Sequence, residues 1–546
     1  MMNATSQTKP LTPPAKIYDV AAELGLDPDS ILPHGHYIAK IPIEHLNKRQ
    51  DQPDGHLVLV SAMTPTPQGE GKTTTTIGLG DALRRQGNRV AICLREPSLG
   101  PYFGIKGGGT GAGKSQVVPS EDINLHFVGD MYSVSKANNL LSAMIDNHLH
   151  HGNELGIDPR RIVWRRVIDL NDRALRKIFI GLGGVSHGIP REDGFNITPA
   201  SEVMAMLCLS KDFYDLGERL SRTVIGFTFK GEPVYARDIQ AVGAMQVLLR
   251  DTIHPNLVQT AEGTPAFVHG GPFANIAQGT NSAIATRMAL KLNDIVITEA
   301  GFGTDLGAEK FLNIKCRLAG LKPAIVVIVA TVKALEYHGG LSPEKGLANL
   351  MKHIENIRSF GLTPIVAVNR FDDDGQKDLD MVVSFCEKAG VQAVVAEHYQ
   401  KGGEGAAALA DAVMNVIGGV KEKAPDFTYS LDMSLEEKID RLAKVIYGAD
   451  GVSYDRTAQT DMDLLQKHGY DKLPVCIAKT PKSLSDNFRL KGRPGGFKIT
   501  VNEMRISAGA GFVVVICGNI MTMPGLPREP AAIRMKIISR NSESGD

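Results

Sequence analysis

A chain of 546 residues is too long for one ordinary hydrophobic core, and its length points to roughly three domains. Hydrophobic content of 43% and charged content of 22% are those of a soluble globular protein, and sixty acidic against sixty basic side chains argue against wholesale nucleic-acid binding. The longest apolar runs, such as Ala324 to Ala330 and Phe512 to Cys517, are strand-sized and far too short for a helical membrane span.

The N-terminal stretch from Met1 to Lys16 is polar and proline-bearing, without the apolar core of a secretory signal, so the expected address is the cytosol. The apolar run Leu57 to Met63 reads as a strand. It leads into Pro65-Thr66-Pro67-Gln68-Gly69-Glu70-Gly71-Lys72-Thr73, and the stretch from Thr73 to Arg84 reads as a helix. A strand, a glycine-rich turn, then a lysine and a threonine at a helix start make a phosphate cradle. Free backbone N–H groups and the helix dipole attract the anion, Lys72 reaches a terminal phosphate, and Thr73 is placed to ligate Mg²⁺. The usual first glycine of the motif is Thr66 here, so this is a variant P-loop, and ATP or GTP is the expected ligand.

The next strand-like run, Val90 to Leu94, ends at Arg95-Glu96-Pro97-Ser98. An arginine at that place can clamp a carboxylate or an acyl phosphate bidentately beside the nucleotide; a surface Arg–Glu pair is the plainer reading. Further on, Gly108-Gly109-Thr110-Gly111-Ala112-Gly113-Lys114-Ser115 fits the P-loop expression letter for letter. Its context does not fit, since no strand precedes it and Pro119 would interrupt a following helix, so it reads as a glycine-rich loop with another task. Six glycines among residues 104–113 let backbone approach a ligand closely or let a loop move. Asp130, after Gly129, could ligate a metal or accept a proton, although an aspartate there is more often a turn or cap. His148, His150 and His151 lack the spacing of a zinc site.

Apolar runs at Ile178–Leu182, Asp294–Thr298, Ala324–Ala330, Pro364–Val368 and Val391–Ala396 alternate with helical stretches such as Glu202 to Leu209 and Asn281 to Leu292. Such alternation predicts an α/β protein with a largely parallel sheet covered on both faces. Ligands bind beyond the carboxyl ends of strands in such sheets, where Lys72, Arg95, Thr331 and Asn369 fall. Asp372-Asp373-Asp374 reads as a solvated turn, and six scattered cysteines read as buried thiols. Loop-like composition near Leu341–Lys345 and Lys421–Thr428 marks domain edges, and the tail from Ile538 to Asp546 is polar.

Taken together, these segments resemble the formate–tetrahydrofolate ligase family. The resemblance is carried by Thr64-Pro65-Thr66-Pro67 running into Gly69-Glu70-Gly71-Lys72-Thr73, and by Leu94 to Pro101 with Gly104-Ile105-Lys106-Gly107-Gly108. It continues through Glu121 to Phe127 with Gly129-Asp130, Val268 to Ile276, Val329-Ala330-Thr331, His338-Gly339-Gly340 and Met521 to Pro527. The family's P-loop also carries the unusual threonine. What the resemblance implies is a large P-loop-type parallel-sheet domain over 1–345 that binds nucleotide and activates formate. A folate-contacting α/β domain would follow over 346–425, and a C-terminal α/β domain over 426–546.

The reaction implied is attack of formate on the γ-phosphate of ATP, giving formyl phosphate, followed by transfer of the formyl group to N10 of tetrahydrofolate. Pro65 to Thr73 would hold ATP, with Lys72 and Arg95 on the reacting groups, Thr73 on Mg²⁺, and Glu96 and Asp130 shaping the site or handling protons or metal. Phe302, Phe371 and Tyr399 match the positions that sandwich the pterin, a role for which core packing is the alternative. The resemblance also implies a homotetramer activated by K⁺ or NH₄⁺. Departures are Tyr399 in place of tryptophan, which should weaken stacking without abolishing it, Gly109 to Lys114 in place of Ala-Ala-Gly-Gly-Gly-Tyr, Gln278 and Thr280 in place of histidine and cysteine, and Lys333 in place of arginine. The typical closing Gly-Leu-Phe is also missing. Rival readings are another carboxylate-activating P-loop ligase, a nucleotide-switch ATPase, and a fold of this kind whose catalysis has decayed.

Overall fold

The computed structural model describes residues 13–105, 108–419, 423–518 and 520–536. Most of the N-terminal arm, the tail from Ile538, Lys106, Gly107 and the start of the Lys421–Thr428 stretch lie outside the described residues. The principal strands are β1 (His56–Ala62), β2 (Val90–Leu94), β3 (Asn256–Thr260), β4 (Pro265–Val268), β5 (Ile295–Glu299), β6 (Pro323–Ala330), β7 (Thr363–Asn369) and β8 (Ala393–Ala396). They lie in the order β3-β4-β2-β5-β1-β6-β7-β8 within a twelve-stranded sheet. From β4 to β8 every neighbouring pair is parallel, and β3 closes on β4 as an antiparallel hairpin. Short strands, among them Ala39–Lys40 and Ser115–Val118, extend the β3 edge.

Parallel strands covered on both faces must be apolar throughout, which is why these runs stood out. In β1, Leu57 and Leu59 enter the core on one face while Val58 and Val60 enter the core on the other. The helix α1 (Lys72–Arg85) covers the second face with Ile77, Leu79 and Leu83, and Ala407–Ile417 packs beside it. Ala283–Leu292 and Pro343–Ser359 cover the first. The edge expected at 345/346 falls inside the helix Pro343–Ser359, and the sheet runs on through it from β6 to β7. A smaller mixed sheet, ordered Gly451–Tyr454, Lys498–Ser507, Phe512–Cys517, Val475–Ala478, shares the first core. Its Lys479 forms a fully buried 2.7 Å ion pair with Asp305 of the main domain.

One expected strand joins neither sheet. Ile178–Ile180 pairs only with Arg191–Asp193 in a two-stranded ribbon, and Phe179 and Leu182 face solvent. Alternation along so short a run does not specify which sheet it joins. All six cysteines are buried and free.

Candidate active site

The loop after β1 turns through Gly69 and Gly71, both at positive φ, and delivers Lys72 and Thr73 to the first turn of α1. Gly71 precedes the helix at φ +76°, and a Cβ there would lie 2.6 Å from Nδ2 of Asn369. Glycine is therefore required on two counts, conformation and space. Glu70, a buried carboxylate, braces the loop from within: it accepts the Thr66 N–H at 2.6 Å and the Thr331 hydroxyl, while Asn369 Nδ2 donates to the Glu70 carbonyl at 3.1 Å. Thr331 follows β6 and Asn369 ends β7, so neighbouring strand ends shape the cradle.

Thr73 donates its hydroxyl to Oε2 of Glu299 at 2.8 Å, and Oε1 of Glu299 lies 3.9 Å from Nη2 of Arg95. Glu299 ends β5, the strand between β1 and β2, and so bridges the P-loop threonine and the arginine. Sequence reading missed it, although an acid closing an apolar strand is a visible signal. Burial lowers the Lys72 ammonium below its ordinary range; Glu299 and Glu70 oppose that shift and Arg95 adds to it.

Arg95 follows β2. Its Nη1 donates to the Pro272 carbonyl at 3.4 Å, and its buried Nε has no hydrogen-bond partner among the described residues. The loop after β5 presses close to it, since a Cβ on Gly301 would sit 3.2 Å from Nη1. Glu96 is buried and its N–H donates to the Gly270 carbonyl at 2.8 Å, but its Oε2 is also unpartnered among the described residues. Burial pushes the Glu96 carboxyl well above the usual range, and the negative charge of Asp130 adds to that against the pull of Lys40. Asp130 opens the helix α2 (Asp130–His150), and its carboxylate is held by Lys40 at 2.8 Å and Asn256 at 2.8 Å. Lys40 is a second group absent from the sequence reading.

The aromatic residues fall at strand ends on the same edge of the sheet. Phe371 follows β7 and Tyr399 follows β8, its neighbour; Arg370, Phe371, Asp372, Glu397 and Gln400 line a cleft of about 270 Å³. Lys333 Nζ sits 4.6 Å from the centre of the Phe371 ring, and Tyr399 is 49% exposed, so core packing does not explain it. Phe302 follows β5, on the far side of β1, and its backbone is at φ +59°, a left-handed conformation uncommon for an aromatic residue. In the acidic turn, Asp373 pairs with Lys333 at 3.0 Å, and Asp374 is buried with Oδ2 accepting the Phe371 N–H at 2.7 Å. That corrects the solvated reading of Asp374: it fixes the backbone under an aromatic ring.

Among the described residues no helix opens on the second glycine–lysine motif; a strand, Ser115–Val118, follows it directly. Gly111–Ala112 and Ser115–Val118 form an antiparallel hairpin, with the Lys114 N–H donating to the Tyr399 carbonyl at 2.9 Å. A Cβ on Gly113 would lie 2.1 Å from that oxygen, so the glycine lets the hairpin lie directly against Tyr399.

Comparison with known proteins identifies the family. A sequence profile described as formate–tetrahydrofolate ligase matches residues 5–545. A formate–tetrahydrofolate ligase of Methylobacillus flagellatus is 56% identical over 534 residues, covering 96% of each chain. Another, of Granulibacter bethesdensis, is 54% identical over 542 residues, covering 97% of this chain and 94% of the relative. The P-loop, the arginine beside it and the full-length match lead to one conclusion: the chain belongs to the formate–tetrahydrofolate ligase family, whose members use ATP to formylate tetrahydrofolate.

Proposed function

We propose that this ligase works through formyl phosphate, with Lys72 and Arg95 as its two anchors. A formate oxygen attacks the γ-phosphorus of ATP while the bond to ADP breaks. N10 of tetrahydrofolate then attacks the formyl carbon, the C–O bond to phosphate breaks, and N10 loses its proton. Lys72 and the amides of residues 65–73 neutralise charge on the transferring phosphoryl group, and Arg95 orients first formate and then formyl phosphate. The observation that carries this reading is the buried Nε of Arg95, unpartnered among the described residues and reached from the P-loop through Glu299 and Thr73. Nε and Nη2 on one side of a guanidinium match the two oxygens of a carboxylate. Glu96 and Asp130 complete the acid side of this pocket and handle the proton.

The Thr73 hydroxyl and the Glu299 carboxylate form an oxygen donor pair of the kind that suits Mg²⁺, and these two residues would hold it. When bound, the ion supplies positive charge against the phosphate oxygens. Phe371 and Tyr399 would stack on the pterin, with Phe302 approaching from the β5 side; tyrosine supplies a smaller stacking face than tryptophan. Activation by K⁺ or NH₄⁺, a cytoplasmic location and a homotetramer belong to the same proposal. Support for assembly comes from the helix Val242–Leu249, whose Val247 is 74% exposed beside exposed Leu248. Sedimentation and replacement of K⁺ by Na⁺ in the assay test these last features.

Formate labelled with ¹⁸O tests the chemistry. Through formyl phosphate, one labelled oxygen must leave with inorganic phosphate in each turnover that needs ATP, formate and tetrahydrofolate together. Product formation without label in phosphate would overturn the intermediate. ADP release that ignores both formate and folate would favour a plain ATPase.

A further inference from the structure

The helix Pro343–Ser359 turns three polar side chains into the core. Asn349, His353 and Asn356 are fully buried and fall at i, i+4 and i+7, on one helical face, where apolar residues would ordinarily pack. Their contacts run to two loops that the proposed reaction uses separately. Nε2 of His353 lies 2.8 Å from Oγ1 of Thr64, the residue before the P-loop, and Nδ1 lies 2.7 Å from Oγ1 of Thr304, two residues after Phe302. Asn349 grips Thr64 as well: its Oδ1 accepts the Thr64 N–H at 3.3 Å, and its Nδ2 donates to Thr64 Oγ1 at 2.9 Å. Asn356 Nδ2 donates to Thr304 Oγ1 at 3.4 Å. The loops also close on one another at the ring, since a Cβ on Gly303 would lie 3.0 Å from Cε1 of His353 and 3.2 Å from the Met63 carbonyl.

Burial lowers His353 to about 4, so the ring is neutral at neutral pH, with one donor and one acceptor nitrogen. Whichever nitrogen carries the proton, one threonine donates to the ring and the other accepts from it. Phe302 stands between two kinds of anchor. The chain before it is fixed by backbone bonds, from the Ala300 N–H to the Val60 carbonyl at 2.9 Å and from the Gly301 N–H to the Gly279 carbonyl at 3.0 Å. The chain after it is fixed by side chains, at Thr304 by His353 and at Asp305 by Lys479. A left-handed backbone at an aromatic residue is costly to hold, so these later anchors bear on how the Phe302 ring is presented.

We propose that His353 is a positioning residue that ties the entrance of the P-loop to the loop carrying Phe302, so that nucleotide and tetrahydrofolate each bind more tightly when the other is present. The effect on folate rests on the proposed stacking role of Phe302; the tie between the loops does not. A nucleotide that fixes the P-loop fixes Thr64 and, through the imidazole, Thr304, so the ordering of the Phe302 loop is shared between the two ligands. Such coupling is reciprocal. The bond from Thr73 to Glu299 reaches β5 ahead of Phe302, on the side already held by the sheet, and does not substitute for the ring.

The test is calorimetry with the Mg²⁺ complex of a non-hydrolysable ATP analogue and with tetrahydrofolate, in the absence of formate. Each Kd is measured with and without the other ligand. In the parent the analogue should lower the Kd for tetrahydrofolate at least about 5-fold. His353→Asn places an amide near Nδ1 and keeps the Thr304 contact, whereas His353→Gln places one near Nε2 and keeps the Thr64 contact. Each leaves half of the bridge, so in both the ratio of Kd values should fall to within about twofold of one. Damage to packing alone would weaken tetrahydrofolate equally with and without nucleotide and leave the ratio at its parent value. If the histidine variants do not fold, Thr304→Val should abolish the ratio and Thr304→Ser, which keeps the hydroxyl, should retain it. A parent ratio that survives in both His353→Asn and His353→Gln overturns the proposal. Hydrogen exchange on the peptide around Phe302 separates the bridge from the folate reading, because the analogue alone should slow exchange there in the parent and not in the His353 variants. That protection, found with a tetrahydrofolate Kd indifferent to nucleotide and to Phe302→Ala, would overturn the pterin role of Phe302 and leave the bridge standing. No protection in the parent overturns the bridge itself.

Discussion

Arg95→Lys is the sharpest perturbation of the proposed formate site, because it keeps the charge and removes the fork. Nη1 is engaged only weakly, at 3.4 Å from the Pro272 carbonyl, and Nη2 lies 3.9 Å from Glu299. Nε, unpartnered among the described residues, and Nη2, only distantly paired with Glu299, are therefore the two donors that a substrate carboxylate would take. Lysine can supply one of these bonds as a point charge but not both, and a charge-assisted hydrogen bond contributes about 1.5–3 kcal/mol. At about 1.4 kcal/mol per decade, kcat/KM for formate should fall roughly 10- to 150-fold. The P-loop does not contain this residue, so the KM for ATP should change little. The assay is initial-rate formation of 10-formyltetrahydrofolate, read as its acid-formed methenyl derivative, with formate and ATP varied in turn. An Arg95→Lys enzyme with formate kcat/KM within about threefold of the parent would refute the bidentate argument. An equal loss against both substrates would show that the substitution had damaged the nucleotide site instead.

Three further outcomes follow from the geometry. Gly71→Ala must hold alanine at φ +76° with its Cβ 2.6 Å from Asn369 Nδ2, so a loss of at least about 1–2 kcal/mol is expected, seen as a lower Tm and a raised ATP KM; an unchanged Tm would show that the loop relaxes freely. Tyr399→Trp enlarges an exposed stacking face, and an added aromatic contribution of about 0.5–1.5 kcal/mol predicts a KM for tetrahydrofolate roughly 2- to 10-fold lower, whereas a higher value would remove Tyr399 from the pterin site. Asp81 lies on the buried face of α1, pushed up to about 7 mainly by burial, against the hydroxyls of Thr260 and Thr264 that donate to it at 2.6 Å. Because the folded value lies above the ordinary 3.8, the native state holds a proton that the unfolded chain releases, and stability is lost as pH rises between those values. The Tm of Asp81→Asn relative to the parent should therefore grow from about pH 4 to about pH 7, and a pH-independent difference would contradict the assignment.

How much of this was legible in the sequence depends on the range over which each feature is encoded. β2 and the helix Glu202–Leu209 match their expected bounds because burial on both faces of a parallel sheet, or a helical period, is written into consecutive residues. The P-loop was legible for the same reason: cradle, lysine and threonine occupy nine contiguous positions, Pro65 to Thr73. The Glu299 bridge was not, since Thr73 and Glu299 are 226 residues apart, and their meeting requires β5 to pack beside β1 rather than beside its sequence neighbours. Lys40 and Asp130, 90 residues apart, meet only because an N-terminal strand closes on β3. The left-handed backbone at Phe302 has no signal in residue type at all. Local patterning thus revealed the groups proposed to touch substrate and hid the groups that balance their charge. That division has a physical cause. A phosphate cradle must be built from adjacent backbone amides, whereas a compensating charge can come from any chain segment that reaches the site, so its position along the sequence is free to vary.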